Sequence, residues 1–168
     1  MPTRHLIVMG VAGVGKSTIA RRLADDLELE MAEGDDFHPR ANVEKMSSGR
    51  PLTDEDRWPW LEALADWTAA RRASGRSTVL TCSALRRAYR DVLRRPDPAT
   101  FFVHLYGDES LLRERMASRQ HFMPPSLLRS QFETLEPLEP DEEGIAVDTA
   151  ASVETIVEQV EAALRTTE

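Results

Sequence analysis

A chain of 168 residues, 41% hydrophobic and 30% charged, is long enough to bury one core and too short for a second independent unit. Its net charge of −8 argues against a general nucleic-acid or anionic-membrane surface, and no apolar run approaches the roughly 20 residues of a membrane span. The single cysteine, Cys82, has no partner for an internal disulfide, and the four scattered histidines lack zinc-type spacing. A short lead from Met1 to Arg4 leaves no place for a targeting segment, so a single domain over residues 1–168, acting in the cytoplasm, is expected.

The first element is a continuous apolar run, residues 5–9, of the kind a strand buried on both faces of a parallel sheet shows. Gly10-Val11-Ala12-Gly13-Val14-Gly15-Lys16-Ser17 follows it and leads through Thr18 into a helical pattern with Ile19, Ala20, Leu23 and Leu27 on one face. Strand, glycine-rich loop and helix in this order read as a phosphate-binding loop. The glycines let backbone N–H groups close on phosphate oxygens, Lys16 reaches the β- and γ-phosphates, and Ser17 ligates Mg²⁺. Residues 10–18 are thus the expected site of ATP and Mg²⁺.

A weak second strand over 29–33 ends at Glu33-Gly34-Asp35-Asp36-Phe37-His38-Pro39. Ligands in open α/β sheets bind beyond the carboxyl ends of strands, so these acids should lie near the loop. Asp35 is the candidate carboxylate for an acceptor hydroxyl, Asp36 a helix cap, and His38 a partner for a substrate hydroxyl or carboxylate. A short helix over 40–47 follows, then a longer one opened by Thr53-Asp54-Glu55-Asp56 as a capping box, with Trp60, Leu61, Leu64 and Trp67 on a core stripe.

Residues 77–82 form a third strand that continues at Ser83 into a basic helix, where Arg86 and Arg90, four apart, could clamp an acidic substrate. Arg87, Arg94 and Arg95 fit a solvated face equally well. All but two of the 21 basic residues are arginine, the exceptions being Lys16 and Lys45. Strand four spans 100–106. The helix after it carries Arg113, Arg115 and Arg119 and breaks at Gln120 to Pro125, which suggests a helical lid over about 113–136 with Arg119 closing over the transferring phosphate. An acidic turn over 137–143, a last strand near 145–147 and a final helix capped by Ser152 complete the chain. Strands alternating with helices predict a three-layer α/β/α fold around a parallel sheet of about five strands.

Gly34 to Pro39, Asn42 to Met46, Pro51 to Arg57 with Pro59-Trp60-Leu61, Cys82 to Asp91, and His121-Phe122-Met123-Pro124 with Leu127 to Glu136 closely resemble the gluconokinase family. That resemblance, which runs from about residue 5 to 160, implies a fold like that of the nucleoside monophosphate kinases, related to shikimate kinase, with transfer of the ATP γ-phosphate to the 6-hydroxyl of D-gluconate. It further implies that His38, Lys45, Arg57, Ser83, Arg86, Arg90 and Gln131 line the gluconate side with Asp35, and it suggests a homodimer. Glu33 departs from the family's frequent Asp-x-Asp pattern, and Arg86 stands where lysine is common.

The same fold also serves kinases of shikimate, nucleosides and nucleotides, which is the nearest rival reading. A nucleotide-dependent switch is a more distant one. Its guanine-reading Asn-Lys-x-Asp pattern is missing, since the only asparagine is Asn42 with Val43 after it. Asp141-Glu142-Glu143-Gly144 has the spacing of a switch Asp-x-x-Gly but lies too late in the chain.

Overall fold

The computed structural model describes residues 2–117 and 125–167. Five strands, β1 (His5–Met9), β2 (Glu30–Glu33), β3 (Thr78–Thr81), β4 (Phe101–Tyr106) and β5 (Gly144–Asp148), form one sheet in the order β2-β3-β1-β4-β5. Every pairing is parallel, with Leu6 opposite Val79 on one side and Phe101 on the other. All five residues of β1 are buried, so both sheet faces are covered and the architecture has three layers. The helices are α1 (Lys16–Leu27), α2 (Arg40–Ser47), α3 (Asp54–Ala73), α4 (Arg87–Leu93), α5 (Glu109–Ala117), α6 (Pro125–Thr134) and α7 (Val153–Arg165).

The chain leaves β1 toward β3 and β2, then crosses back over β1 to reach β4. A parallel sheet opens a crevice at such a reversal, beyond the carboxyl ends of its strands. The phosphate loop occupies that place. Gly10 has φ of 142°, and a Cβ there would stand 2.5 Å from the Leu105 carbonyl oxygen, so only glycine lets the loop leave the sheet this closely.

Local signals set the helix boundaries as expected for α3 and α7. Thr53 accepts from the Asp56 N–H at 3.2 Å while the Asp56 carboxylate accepts from the Thr53 N–H at 2.8 Å, and Ser152 accepts from the Thr155 N–H at 3.1 Å. Asp36 caps nothing: Gly34–Phe37 form a single 3₁₀ turn, and α2 has no side-chain cap.

The third strand does not run on into a helix at Ser83. The helix begins only at Arg87, because the three carbonyls before it are taken by other parts of the chain. Ser83 O accepts from the Gly10 N–H at 3.2 Å, Ala84 O from the Arg90 guanidinium at 2.8 Å, and Leu85 O from the Glu136 N–H at 2.6 Å. Ala84 is held at φ of 48°, in the left-handed region.

Arg90, expected at the substrate, is instead among the most buried side chains of the protein and forms a forked pair with Glu142, with bonds of 2.7 and 3.0 Å. Arg94 also reaches Glu142, and Arg87 bonds Asp141, Glu139 and the carboxylate of Asp91. Arg87 and Arg94 therefore form no solvated face. They dock the acidic turn onto α4, which is also the role of the Asp141-to-Gly144 stretch. Burial raises the Glu142 carboxyl, but bonds from Arg90, the Glu139 N–H and Arg94 outweigh it and hold the group at about 2 rather than 4.5. This depressed value adds stability that is fully present above about pH 4.5 and lost as pH falls toward 2. Arg90→Leu should lower unfolding free energy by about 3 kcal/mol in urea melts at neutral pH, because it takes the forked guanidinium partner from a buried carboxylate and leaves it Arg94, Arg87 at 3.8 Å and the Glu139 N–H.

Candidate active site

Glu33, Gly34 and Asp35 lie where β2 ends, one strand removed from the loop. Gly34 is fixed from two sides: its N–H donates to Thr81 Oγ1 at 3.1 Å and its carbonyl accepts from Trp60 Nε1 at 2.8 Å. A Cβ on Gly34 would stand 2.1 Å from the Thr81 carbonyl oxygen, so the backbone here can pass β3 only as glycine. That clamp turns the next residue, Asp35, into the open cavity beyond the phosphate loop, where its side chain is 71% exposed.

Glu33 turns the other way. Its Oε2 accepts from Ser17 Oγ at 3.0 Å and from Thr81 Oγ1 at 2.6 Å. A hydroxyl and a carboxylate side by side at the loop are hard oxygen donors, the kind Mg²⁺ takes together with phosphate oxygens and water, so these residues fit the ion. Lys16 Nζ donates to the carbonyls of Gly10 at 2.9 Å and Val11 at 3.2 Å, folding back over its own loop. Burial lowers the Lys16 pKa, while Asp35, Cys82 and Glu33 oppose the shift.

The cavity joins Ala12, Gly13, Gly15, Lys16, Ser17 and Thr18 to Asp35, His38, Arg57, Ser83 and Gln131. Loop residues and five of the expected substrate-side residues thus share one space. His38 stacks on Trp60 with ring centroids 4.0 Å apart, and burial pushes its imidazole down to about 4, Asp35 opposing and Arg57 adding to the shift. Arg57 donates to the Tyr89 hydroxyl at 2.9 Å, and that hydroxyl donates to Asp54. Gln131 Oε1 accepts the Ala12 N–H of the loop at 2.7 Å.

Three expected substrate residues lie elsewhere. Lys45 pairs with Asp56 at 2.7 Å, Arg86 lies 3.6 Å from Asp54, and Arg90 is the buried partner of Glu142; none lines the cavity. Arg119 and His121 fall outside the described residues.

A family model described as an AAA domain matches residues 6–138. Gluconokinase from Gluconobacter oxydans is 48% identical over 158 residues, which cover 94% of this chain and 89% of that protein. The chain belongs to the gluconokinase family. Among solved structures, a gluconokinase from Sinorhizobium meliloti superimposes with a TM-score of 0.87 at 46% identity, covering 99% of this chain and 93% of that one. A sugar kinase from Janibacter sp. HTCC2649 superimposes at 0.94 with 53% identity, covering 98% and 95%.

In this gluconokinase-family chain two contacts that shape the site, those of Arg115 and Tyr89, were not visible in the sequence. Arg115, read from the sequence as one of the arginines of the lid segment, lines the cavity and donates to Thr149 at Oγ1 (3.1 Å) and O (3.0 Å), while the Thr149 hydroxyl donates to Val14 O of the loop. Tyr89 is buried and holds Arg57. Neither had a local signal: Thr149 is 34 residues from Arg115, and Tyr89 is 32 from Arg57. Trp60, assigned to the core, is indeed buried but also walls the cavity beneath His38.

Proposed function

We propose that this chain transfers the γ-phosphoryl group of ATP to the 6-hydroxyl of D-gluconate, giving 6-phosphogluconate and ADP in the cytoplasm. Family membership supports the activity, and the observation that carries the mechanism is that the phosphate loop and Asp35 face one cavity. The loop amides and the N-terminus of α1 hold the nucleotide phosphates. Lys16, released from the Gly10 and Val11 carbonyls, follows the charge on the β- and γ-phosphates. Ser17, with Glu33 beside it, would hold Mg²⁺, which neutralises charge on the phosphate oxygens.

On the acceptor side, Asp35 orients the attacking hydroxyl and takes its proton as the oxygen bonds to phosphorus and the bond to the bridging oxygen of ADP breaks. Arg57, braced by Tyr89, supplies a cation for the gluconate carboxylate, with Ser83 and Gln131 as hydrogen-bonding partners. Arg115 and Arg119 stabilise the transferring group from the lid side, about residues 113–136. A homodimer is part of the same reading.

An acceptor panel with Mg²⁺-ATP, followed by ADP release, tests the assignment. Gluconate should be turned over while shikimate, nucleosides and nucleoside monophosphates stay inert. Turnover of any of these with gluconate inert would overturn it.

A further inference from the structure

The His38 side chain is only 3% exposed, and its two ring nitrogens face different surroundings. Asn42, itself 4% exposed, directs a single amide atom at two partners: the Asp56 backbone carbonyl at 2.9 Å and His38 Nδ1 at 3.2 Å. A backbone carbonyl only accepts, so the amide atom is nitrogen, and an amide nitrogen only donates. Nδ1 is therefore the bare, accepting nitrogen, and the ring proton sits on Nε2. The other neutral tautomer and the doubly protonated ring would both set N–H against N–H at Asn42. Nε2 looks across 3.9 Å to Asp35 Oδ1 at the cavity wall, too far for a direct bond and close enough for a substrate oxygen to be shared between them.

We propose that Asn42 is a positioning residue: by donating to Nδ1 it fixes His38 as the Nε2–H tautomer, so the imidazole meets the acceptor substrate as a hydrogen-bond donor and not as the base. The division of labour on the acceptor side then follows. His38 orients an oxygen, and Asp35 alone receives the proton. The assignment of the acceptor rests on the function proposed above, whereas the tautomer does not.

The experiment is NMR on protein labelled with nitrogen-15 histidine near neutral pH, with the His38 signals identified by their loss in His38→Gln. A protonated Nε2 and a bare Nδ1 are expected; a proton on Nδ1 would overturn the proposal whatever the enzyme phosphorylates. Two variants extend the test. Asn42→Leu removes the donor and should raise the gluconate KM about tenfold while moving the ATP KM less than about twofold. Asn42→Asp replaces the donor with an acceptor and should draw the ring proton onto Nδ1, with a larger fall in kcat/KM. An Asn42→Leu protein with native circular dichroism, an unchanged gluconate KM and an unchanged His38 tautomer would refute the role of Asn42. If neither variant folds, the wild-type spectrum decides. A wild type inert toward gluconate would overturn the substrate reading, leaving the tautomer to the spectrum.

Discussion

Lys16→Ala should lower kcat by about 10³-fold or more, with little loss of fold. The side chain gives up two bonds to loop carbonyls, but its removal also relieves the cost of burying an ammonium, so the thermal midpoint should drop only slightly. The catalytic loss is expected to be larger because, in the proposed reaction, the ammonium stands beside the γ-phosphate and opposes charge that no neutral neighbour can screen. Lys16→Arg should not rescue it. The guanidinium is wider and planar and does not reproduce a compact ammonium held against the Gly10 and Val11 carbonyls. A coupled ADP assay with Mg²⁺-ATP titration measures both variants, and near-normal turnover by Lys16→Ala would show that the loop lysine takes no part in the chemistry.

Asp35→Asn is expected to separate binding from chemistry. In the proposed reaction Asp35 takes the hydroxyl proton, so its replacement by an amide should depress kcat by about 10²- to 10⁴-fold. Nucleotide affinity, read by equilibrium titration, should stay within about threefold of wild type, because the phosphate loop is untouched. Stability should change by no more than about 0.5 kcal/mol, since the side chain is 71% exposed and isosteric with its replacement. A cooperative loss of structure in circular dichroism would identify Asp35 as a structural residue instead.

The strand-loop-helix grammar of the fold was legible because each of its signals is local. The apolar run before Gly10, the Thr53 capping box and Ser152 all act within a few residues, and the structure places each as the pattern requires. Asp35 was legible for a topological reason, since strand ends cluster at one edge of a parallel sheet. The arginines were not. Arg86 and Arg90 are four apart, which puts them on one face only if both are helical. The carbonyl partners that keep Ser83–Arg86 out of the helix lie in the loop after β1, within α4 and just beyond α6. Nothing in the local spacing separates a charge meant for a ligand from one destined for Glu142, 52 residues away. Arg115 shows the converse, a residue that looks like an ordinary surface charge until Thr149 brings it to the loop.

The three successive carbonyls of Ser83, Ala84 and Leu85 bear on how this enzyme can be re-engineered. Each is tied to a different stretch of the chain, so a nick, an inserted tag or a single-residue deletion between 83 and 86 would cut three ties together. Circular permutants should therefore take their new ends elsewhere, and the exposed turn at Ser74-Gly75 after α3 offers a site where no such ties converge.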